Sequence, residues 1–419
     1  MVENTISYNH IPVKQSTFKG GLGASIHRWF RLTPSFGPEL VVEMMSKLGC
    51  QASDIVLDPF SGASTTLIES ALNGVSSYGF EINPLLHWVG KVCIDWTPDT
   101  DALRRDLEAI LQNYTNEVSK ISFDDLENHG LEIPSIHNPL RWWRKDVLRD
   151  LLVLKRSIRQ QCRAEQNAEF FMLAFAGVLV PELTNVTLGK LQLHFIERED
   201  DLIDVKGTFQ RHANTMIGDL EVAQKITTPG KAKIFHTNSV TLEGVEIDKP
   251  INCVITSPPY PNRYSYVWNT RPHLYMLDFF SNAKQASDLD KKTIGGTWGT
   301  ATSMLAKGRV DPDFEFFEES VTPVIEAIRE QDNLMANYVM KYFNLLALQI
   351  KAMEGLPQNG LRCAYVVGNS RVKGVYVETD VLLAKIFMGL GYSIDSIERI
   401  RKRNSGKDLH ESIVYSWKP

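Results

Sequence analysis

The stretch between residues 55 and 81 constrains the fold more than any other. Ile55-Val-Leu57 is a short apolar run of strand length, Asp58-Pro-Phe-Ser-Gly62 is a turn, Ser64 to Asn73 reads as a helix stopped by Gly74, and Tyr78-Gly-Phe-Glu81 is a second strand ending in an acid. Asn83 can cap a further helix that begins at Pro84. This is the opening pattern of a doubly wound α/β sheet. A helix precedes it, because Glu39-Leu-Val-Val-Glu-Met-Met-Ser-Lys-Leu48 puts apolar residues at helical spacing behind Pro38.

From about Thr97 to Pro229 the alternation stops. The patterning there is mostly helical, in long segments such as Asp101 to Lys120, Trp142 to Gln166 and Gln166 to Val180, and reads as an insertion. Strands return at Ala232-Lys-Ile-Phe-His236, Asn252-Cys-Val-Ile-Thr256 and Leu361 to Val367, followed by a helix from Thr379 to Leu390. Two closing strands near Ser393 to Ile400 and Ser412 to Trp417, separated by a polar turn, read as an antiparallel hairpin. The first thirty or so residues are polar and Gly-rich and read as an irregular lead-in.

Composition sets the outer limits. A chain of 419 residues holds two to three units of the usual size, or one elaborated domain with a large insertion. With 43% hydrophobic and 23% charged residues it is an ordinary globular protein, not a disordered chain or a disulfide scaffold. A formal charge of −5 excludes a histone-like nucleic-acid binder but leaves a local basic face open. Five scattered cysteines include no pair at metal-ligand spacing, so buried reduced thiols are expected and no metal. The N-terminus resembles no secretory signal, and the longest apolar stretch, Phe170 to Val180, falls short of the ~20 residues of a bilayer span. A cytoplasmic protein without a membrane partner is expected.

Two segments carry chemistry. The turn after the first strand lets backbone approach a ligand closely at a helix N-terminus, yet it has neither the phosphate-loop Lys nor three glycines at dinucleotide spacing. Glu81, some twenty residues on, sits where an acid accepts ribose hydroxyls in such sheets. Further along, Cys253-Val-Ile-Thr-Ser-Pro-Pro-Tyr260 ends an apolar strand with two prolines, which donate no N–H, so the strand must stop and leave its last carbonyls facing the crevice. Ser257 offers a hydroxyl, Pro258 a fixed carbonyl held by Pro259, and Tyr260 a stacking surface. Such a set suits an exocyclic amino group on a planar ring; a plain strand-terminating turn has the same letters.

Taken together, Asp58-Pro-Phe-Ser-Gly-Ala-Ser-Thr-Thr66 and Thr256-Ser-Pro-Pro-Tyr260 resemble the cofactor and catalytic motifs of the amino-group DNA methyltransferases, specifically the cytosine-N4 type. Arg28-Trp-Phe-Arg-Leu-Thr-Pro-Ser-Phe-Gly-Pro-Glu-Leu40 looks like that family's N-terminal cofactor segment, Tyr365 to Gly374 is similar to its fifth-strand segment, and Leu409-His-Glu-Ser-Ile413 to the start of its last strand. The resemblance covers roughly residues 25 to 95 and 231 to 418. It implies a Rossmann-like seven-stranded methyltransferase sheet with an antiparallel C-terminal hairpin and a helical insertion. Residues 1–99 would hold the lead-in and cofactor half, 100–230 the insertion with a role in DNA recognition, and 231–419 the catalytic half. The implied cofactor is S-adenosylmethionine, held by Phe36, Asp58, Pro59, Phe60, Gly62, Ser64, Thr65, Glu81, Asn83 and Asn238. Two departures stand out: Ala63-Ser64 where the family carries a second glycine, and Asn238 where an Asp contacts the adenine amino group, which implies weakened binding.

The resemblance also implies double-stranded DNA as substrate, with Ser257, Pro258, Pro259 and Tyr260 acting on a flipped cytosine. DNA contacts are expected from Asn262, Arg263 and Arg271 beside the catalytic segment, and from Arg401, Lys402 and Arg403 in the basic run Arg399 to Lys407. Arg141-Trp-Trp-Arg-Lys145 mixes cations with aromatics and reads equally as DNA contact or helix packing. Gly295-Gly-Thr-Trp-Gly299 reads as a loop closing over DNA, and site recognition falls to the insertion plus residues 263 to 320. A cognate restriction endonuclease and a monomer or homodimer complete the expectation. An adenine-N6 or RNA amino-methyltransferase, and a DNA-binding protein without catalysis, remain as alternatives.

Overall fold

Residues that alternate along the central strands enter different cores. Val56, Cys253, Ile255, Ala364, Val366, Ile413 and Tyr415 pack on the helix Pro38–Lys47. Their neighbours Leu57, Val254, Cys363, Tyr365, Val367 and Val414 pack on the opposite side against the helices Thr322–Arg329, Asn333–Ala352 and Thr379–Gly389. Strands apolar on both faces need cover on both, which is why the sequence shows short continuous apolar runs. The computed structural model describes residues 5–403 and 409–419, except 34, 190, 191, 263, 297–302 and 304.

In chain order the described strands are β1 (Ile6–Tyr8), β2 (Ile55–Asp58), β3 (Ser76–Glu81), β4 (Val186–Leu188), β5 (Leu193–Phe195), β6 (Ala232–His236), β7 (Ile251–Thr256), β8 (Gln358–Gly368), β9 (Ser370–Val372), β10 (Val375–Val377), β11 (Ser393–Lys402) and β12 (His410–Lys418). Eight of them form one sheet in the order β1-β11-β12-β8-β7-β2-β3-β6. Within it only β12 runs antiparallel to its neighbours, β8 and β11. The carboxyl ends of the other seven therefore share an edge with the start of β12. The chain winds away from β2 in both directions, to β3 on one side and β7 on the other, so a crevice opens outside the carboxyl ends of β2 and β7.

The sheet has eight strands, not the expected seven. The extra one is β1, in the segment read as irregular, which pairs in parallel with β11 through Ile6 opposite Ile397 and Tyr8 opposite Arg399. Three residues in a polar stretch carry no alternation, and the pairing is dictated by the otherwise open edge of β11.

The insertion is helical as expected, with helices Thr100–Val118, Lys145–Gln161, Glu165–Leu179 and Val205–Ala223, but also carries the antiparallel pair β4–β5. Its apolar faces share one core with the sheet helix Pro84–Cys93 and with Ile26, Trp29 and Phe30. Buried Asp219 in Val205–Ala223 fastens this junction by accepting from the Ile26 N–H at 3.2 Å, Arg28 Nε at 2.9 Å and Trp29 Nε1 at 3.0 Å. All five cysteines are free, and Cys50 Sγ lies 2.9 Å from Cys253 Sγ, a proximity that sequence spacing does not show. No helix among the described residues is long and apolar enough to cross a membrane, and no cluster of His, Cys, Asp or Glu among them suits a metal ion.

Candidate active site

A cavity of about 330 Å³ occupies the crevice. Its floor is made by strand ends. Asp58, the last residue of β2, is 1% exposed and accepts from the Phe60 N–H at 3.0 Å and from the Thr256 hydroxyl at 2.6 Å, tying the ends of β2 and β7 together. Burial pushes its carboxyl up to about 6. The turn then passes Gly62 at φ +50° and Ser64 at φ +64° before the helix Thr65–Leu72 begins. The left-handed backbone at Gly62, and again two residues on at Ser64, explains why this turn favours glycine.

Glu81 closes β3 on the same cavity. Its Oε2 accepts from the Gly62 N–H at 2.9 Å and its Oε1 from the Asn83 N–H at 2.7 Å, while burial pushes its carboxyl up to about 7. Asn83 caps the helix Pro84–Cys93 by accepting from the Leu85 N–H at 3.1 Å. Asn238, just past β6, also faces the cavity, with Oδ1 already accepting from the Val240 N–H at 2.9 Å. Pro59, Phe60, Gly62, Thr65 and Phe36 line the wall. Ser64 does not: it is fully buried, its Oγ has no partner, and it packs where a Cβ on Gly90 would stand 2.3 Å away.

Past β7, Ser257, Pro259 and Tyr260 line the cavity while Pro258 is buried behind them. Ser257 Oγ donates to the Val366 carbonyl at 3.2 Å. The Tyr260 phenol donates to Glu411 Oε1 at 2.7 Å, and burial with the adjacent Glu411 charge holds it well above the usual tyrosine range.

The proposed DNA contacts divide. Asn262, Arg401 and Arg403 reach the cavity rim and Lys402 is exposed beside them, as the shared edge of β11 and β12 requires. Arg401 is ion-paired with Glu411, and Arg403 donates to the Asn369 carbonyl at 2.7 Å with its guanidinium 5.3 Å from the Tyr260 ring centre. Arg399 is turned inward onto Asp380 and Glu378. Arg271 is not at the cavity: it lies 3.9 Å over the Trp268 ring and 5.2 Å from that of Trp142, and burial lowers it to about 10. Trp142 and Trp143 are buried core residues, so of the two readings of Arg141 to Lys145 the packing one describes these tryptophans. Arg263, residues 404–407 and Thr297 to Gly299 lie outside the described residues.

Sequence reasoning missed a whole wall. Val13, Thr17, Phe18 and Lys19 from the lead-in close one side, and Tyr264, Tyr266 and Lys292 another. The lead-in is brought close by bare backbone: a Cβ on Gly37 would stand 2.2 Å from the Gln15 carbonyl oxygen, and one on Gly20 2.4 Å from that of Lys14. Of the clustered Gly20, Gly21 and Gly23, only Gly20 makes such an approach, so the cluster was a partial signal.

Fold and site together define a class: an open, mostly parallel α/β sheet whose crevice holds an acid at the end of one strand and a Ser-Pro-Pro-Tyr segment at the end of another. The chain is similar over most of its length to type II methyltransferases. M.BsoBI of Geobacillus stearothermophilus is 22% identical over 456 aligned residues, spanning 98% of this chain and 86% of that protein. M.MvaI of Kocuria varians is 23% identical over 380, spanning 86% and 80%, and M.AvaI of a Nostoc strain is 21% identical over 444, spanning 96% and 88%. No family model matches the chain. Among solved structures, the rRNA methyltransferase AviRa of Streptomyces viridochromogenes aligns with 95% of the chain at 10% identity and a TM-score of 0.34, too remote to bear on function.

Proposed function

We propose that the protein is a site-specific DNA methyltransferase that transfers a methyl group from S-adenosylmethionine to the exocyclic N4 of a flipped-out cytosine, marking DNA within a restriction-modification system. The observation that carries this reading is that Glu81 and, of the Ser-Pro-Pro-Tyr segment, Ser257, Pro259 and Tyr260 open onto one cavity. The methyltransferase relatives support it.

The residues present fit the cofactor. Glu81 offers carboxylate oxygens where ribose hydroxyls donate, Phe36 and Phe60 give apolar walls for a purine, and Asn238 Oδ1 keeps a second lone pair for an amino group. Bound there, S-adenosylmethionine supplies an electrophilic methyl group. A cytosine in a duplex cannot reach this depth, so it leaves the stack at a cost of about a few kcal/mol. Ser257 Oγ, which donates to the Val366 carbonyl, keeps lone pairs with which to accept an amino hydrogen. Accepting an N4 hydrogen out of the ring plane restores nucleophilic character to the nitrogen, while Tyr260 stacks on the base; Pro258, buried behind the lining, fixes the backbone that presents them. Positioning is the main catalytic device.

Ser257→Ala is expected to retain cofactor binding by calorimetry and to lower transfer by about 10²-fold or more. Nucleoside digests of DNA from expressing cells are expected to contain N4-methylcytosine. N6-methyladenine in its place would overturn the choice of base, preference for RNA the choice of substrate, and absence of S-adenosylmethionine binding the enzyme itself.

A further inference from the structure

Glu411 has no role in the chemistry just described, yet it is buried at the cavity rim, 6% exposed, as the second residue of β12. A buried carboxylate is costly unless its oxygens are satisfied; here Oε1 is hydrogen-bonded, while Oε2 faces the Arg401 charge without a hydrogen bond. Oε1 accepts from the Tyr260 phenol at 2.7 Å, and Oε2 is ion-paired with Arg401 of β11. Register places Glu411 opposite Gly368 at the end of β8 and opposite Arg401. Gly368 leaves room for the ring: a Cβ there would stand 2.8 Å from Tyr260 Cε2. Arg403, anchored on the Asn369 carbonyl, lies over the same ring. The tyrosine is thus held by its hydroxyl, packed against a bare backbone, and flanked by a cation.

We propose that Glu411, backed by Arg401, is a positioning residue that fixes the Tyr260 ring for the incoming base. This rests on the reading of Ser257-Pro-Pro-Tyr260 as the base-binding segment. Arg401 then serves the aromatic clamp rather than a DNA phosphate, since its charge is already committed to Glu411.

Truncating Glu411 alone strands the Arg401 charge, so the acceptor is removed by the paired exchange Arg401→Met with Glu411→Leu. On a duplex carrying the mapped target site, at saturating S-adenosylmethionine, this exchange is expected to slow single-turnover transfer about tenfold or more without changing cofactor affinity. The control Arg401→Met with Glu411→Gln, which keeps an amide oxygen for the phenol and leaves no guanidinium facing the amide N–H groups, is expected to stay within about threefold of the parent. In a Tyr260→Phe background the exchange should cost less than about twofold further, because the shared hydrogen bond is already gone. An equal loss in both backgrounds, or a matching loss of cofactor affinity, overturns the inference. A second measurement is independent of turnover. With 3-fluorotyrosine in place of tyrosine, the Tyr260 fluorine resonance, identified by its loss in Tyr260→Phe, is expected to shift in the paired exchange. An unmoved resonance overturns the contact. If the parent protein methylates no DNA, the functional reading fails, and the fluorine spectrum still decides whether Glu411 holds the phenol.

Discussion

Glu81 titrates where the cell lives, because burial pushes its carboxyl up to about 7 despite two backbone N–H donors. In the proposed cofactor pose, protonation below that point removes the charge and one acceptor for ribose hydroxyls. Affinity for S-adenosylmethionine is therefore expected to rise as pH increases through about 7 and then to level, a trend that Glu81→Gln should flatten. Calorimetry at about pH 6 and about pH 8 checks this; a profile flat in the parent would remove Glu81 from the ribose. Glu81, Ser257 and Tyr260 are legible in the sequence because each is a residue type whose chemistry is declared by its immediate neighbours: an acid closing a strand, a hydroxyl before two prolines. Glu411 is not legible in that way. Its partner Tyr260 is 151 residues distant, and only the sheet register brings them together.

At the scale of elements, the turn after β2 holds Ser64 in the left-handed region with an unpartnered buried hydroxyl. Ser64→Gly relieves both at the cost of a small void and a more flexible unfolded chain, and is expected to stabilise by about 1 kcal/mol, read as a raised Tm. A lowered Tm would mean that the Ser64 packing against Gly90 outweighs the strain. The rim hairpin makes a second prediction. Arg401 is ion-paired while Lys402 between it and Arg403 is exposed, so Lys402→Ala should weaken DNA binding and reduce the salt slope by about 1 while leaving bound-state transfer unchanged. A fall in transfer rate at saturating DNA would place Lys402 in the clamp instead. Most elements were readable because period and punctuation agree: the Pro38, Asn83 and Pro84 starts and the Gly74 stop all stand where expected. β1 and the pair β4–β5 were not, since strands of three residues show no period and exist only through their partners.

Over the whole molecule, the net charge of −5 coexists with a rim where Arg401, Lys402 and Arg403 are adjacent, so overall acidity and local attraction are separate properties. The insertion, legible as helical but not in its attachment, is held to the lead-in through Asp219. Asp219→Ala leaves two buried donors, the Ile26 N–H and Trp29 Nε1, without their acceptor, and is expected to destabilise by about 3 kcal/mol and to weaken cofactor binding through the adjoining N-terminal wall, measured by denaturant melts and calorimetry. Unchanged stability would mean that these donors find other acceptors. The lead-in is fastened at its other end to β11, where Arg399 Nη1 donates to the Tyr8 hydroxyl at 3.2 Å across 391 residues of chain. A ribosome moving at ~5–20 residues per second reaches that partner roughly 20–80 s after making β1. Throughout that interval β1 has no strand to pair with, and the wall of Val13, Thr17 and Phe18 is braced by its close approach to Gly37. The β1 edge of the sheet is therefore completed only once β11 is made, so the last strands to emerge decide when this earlier one is seated.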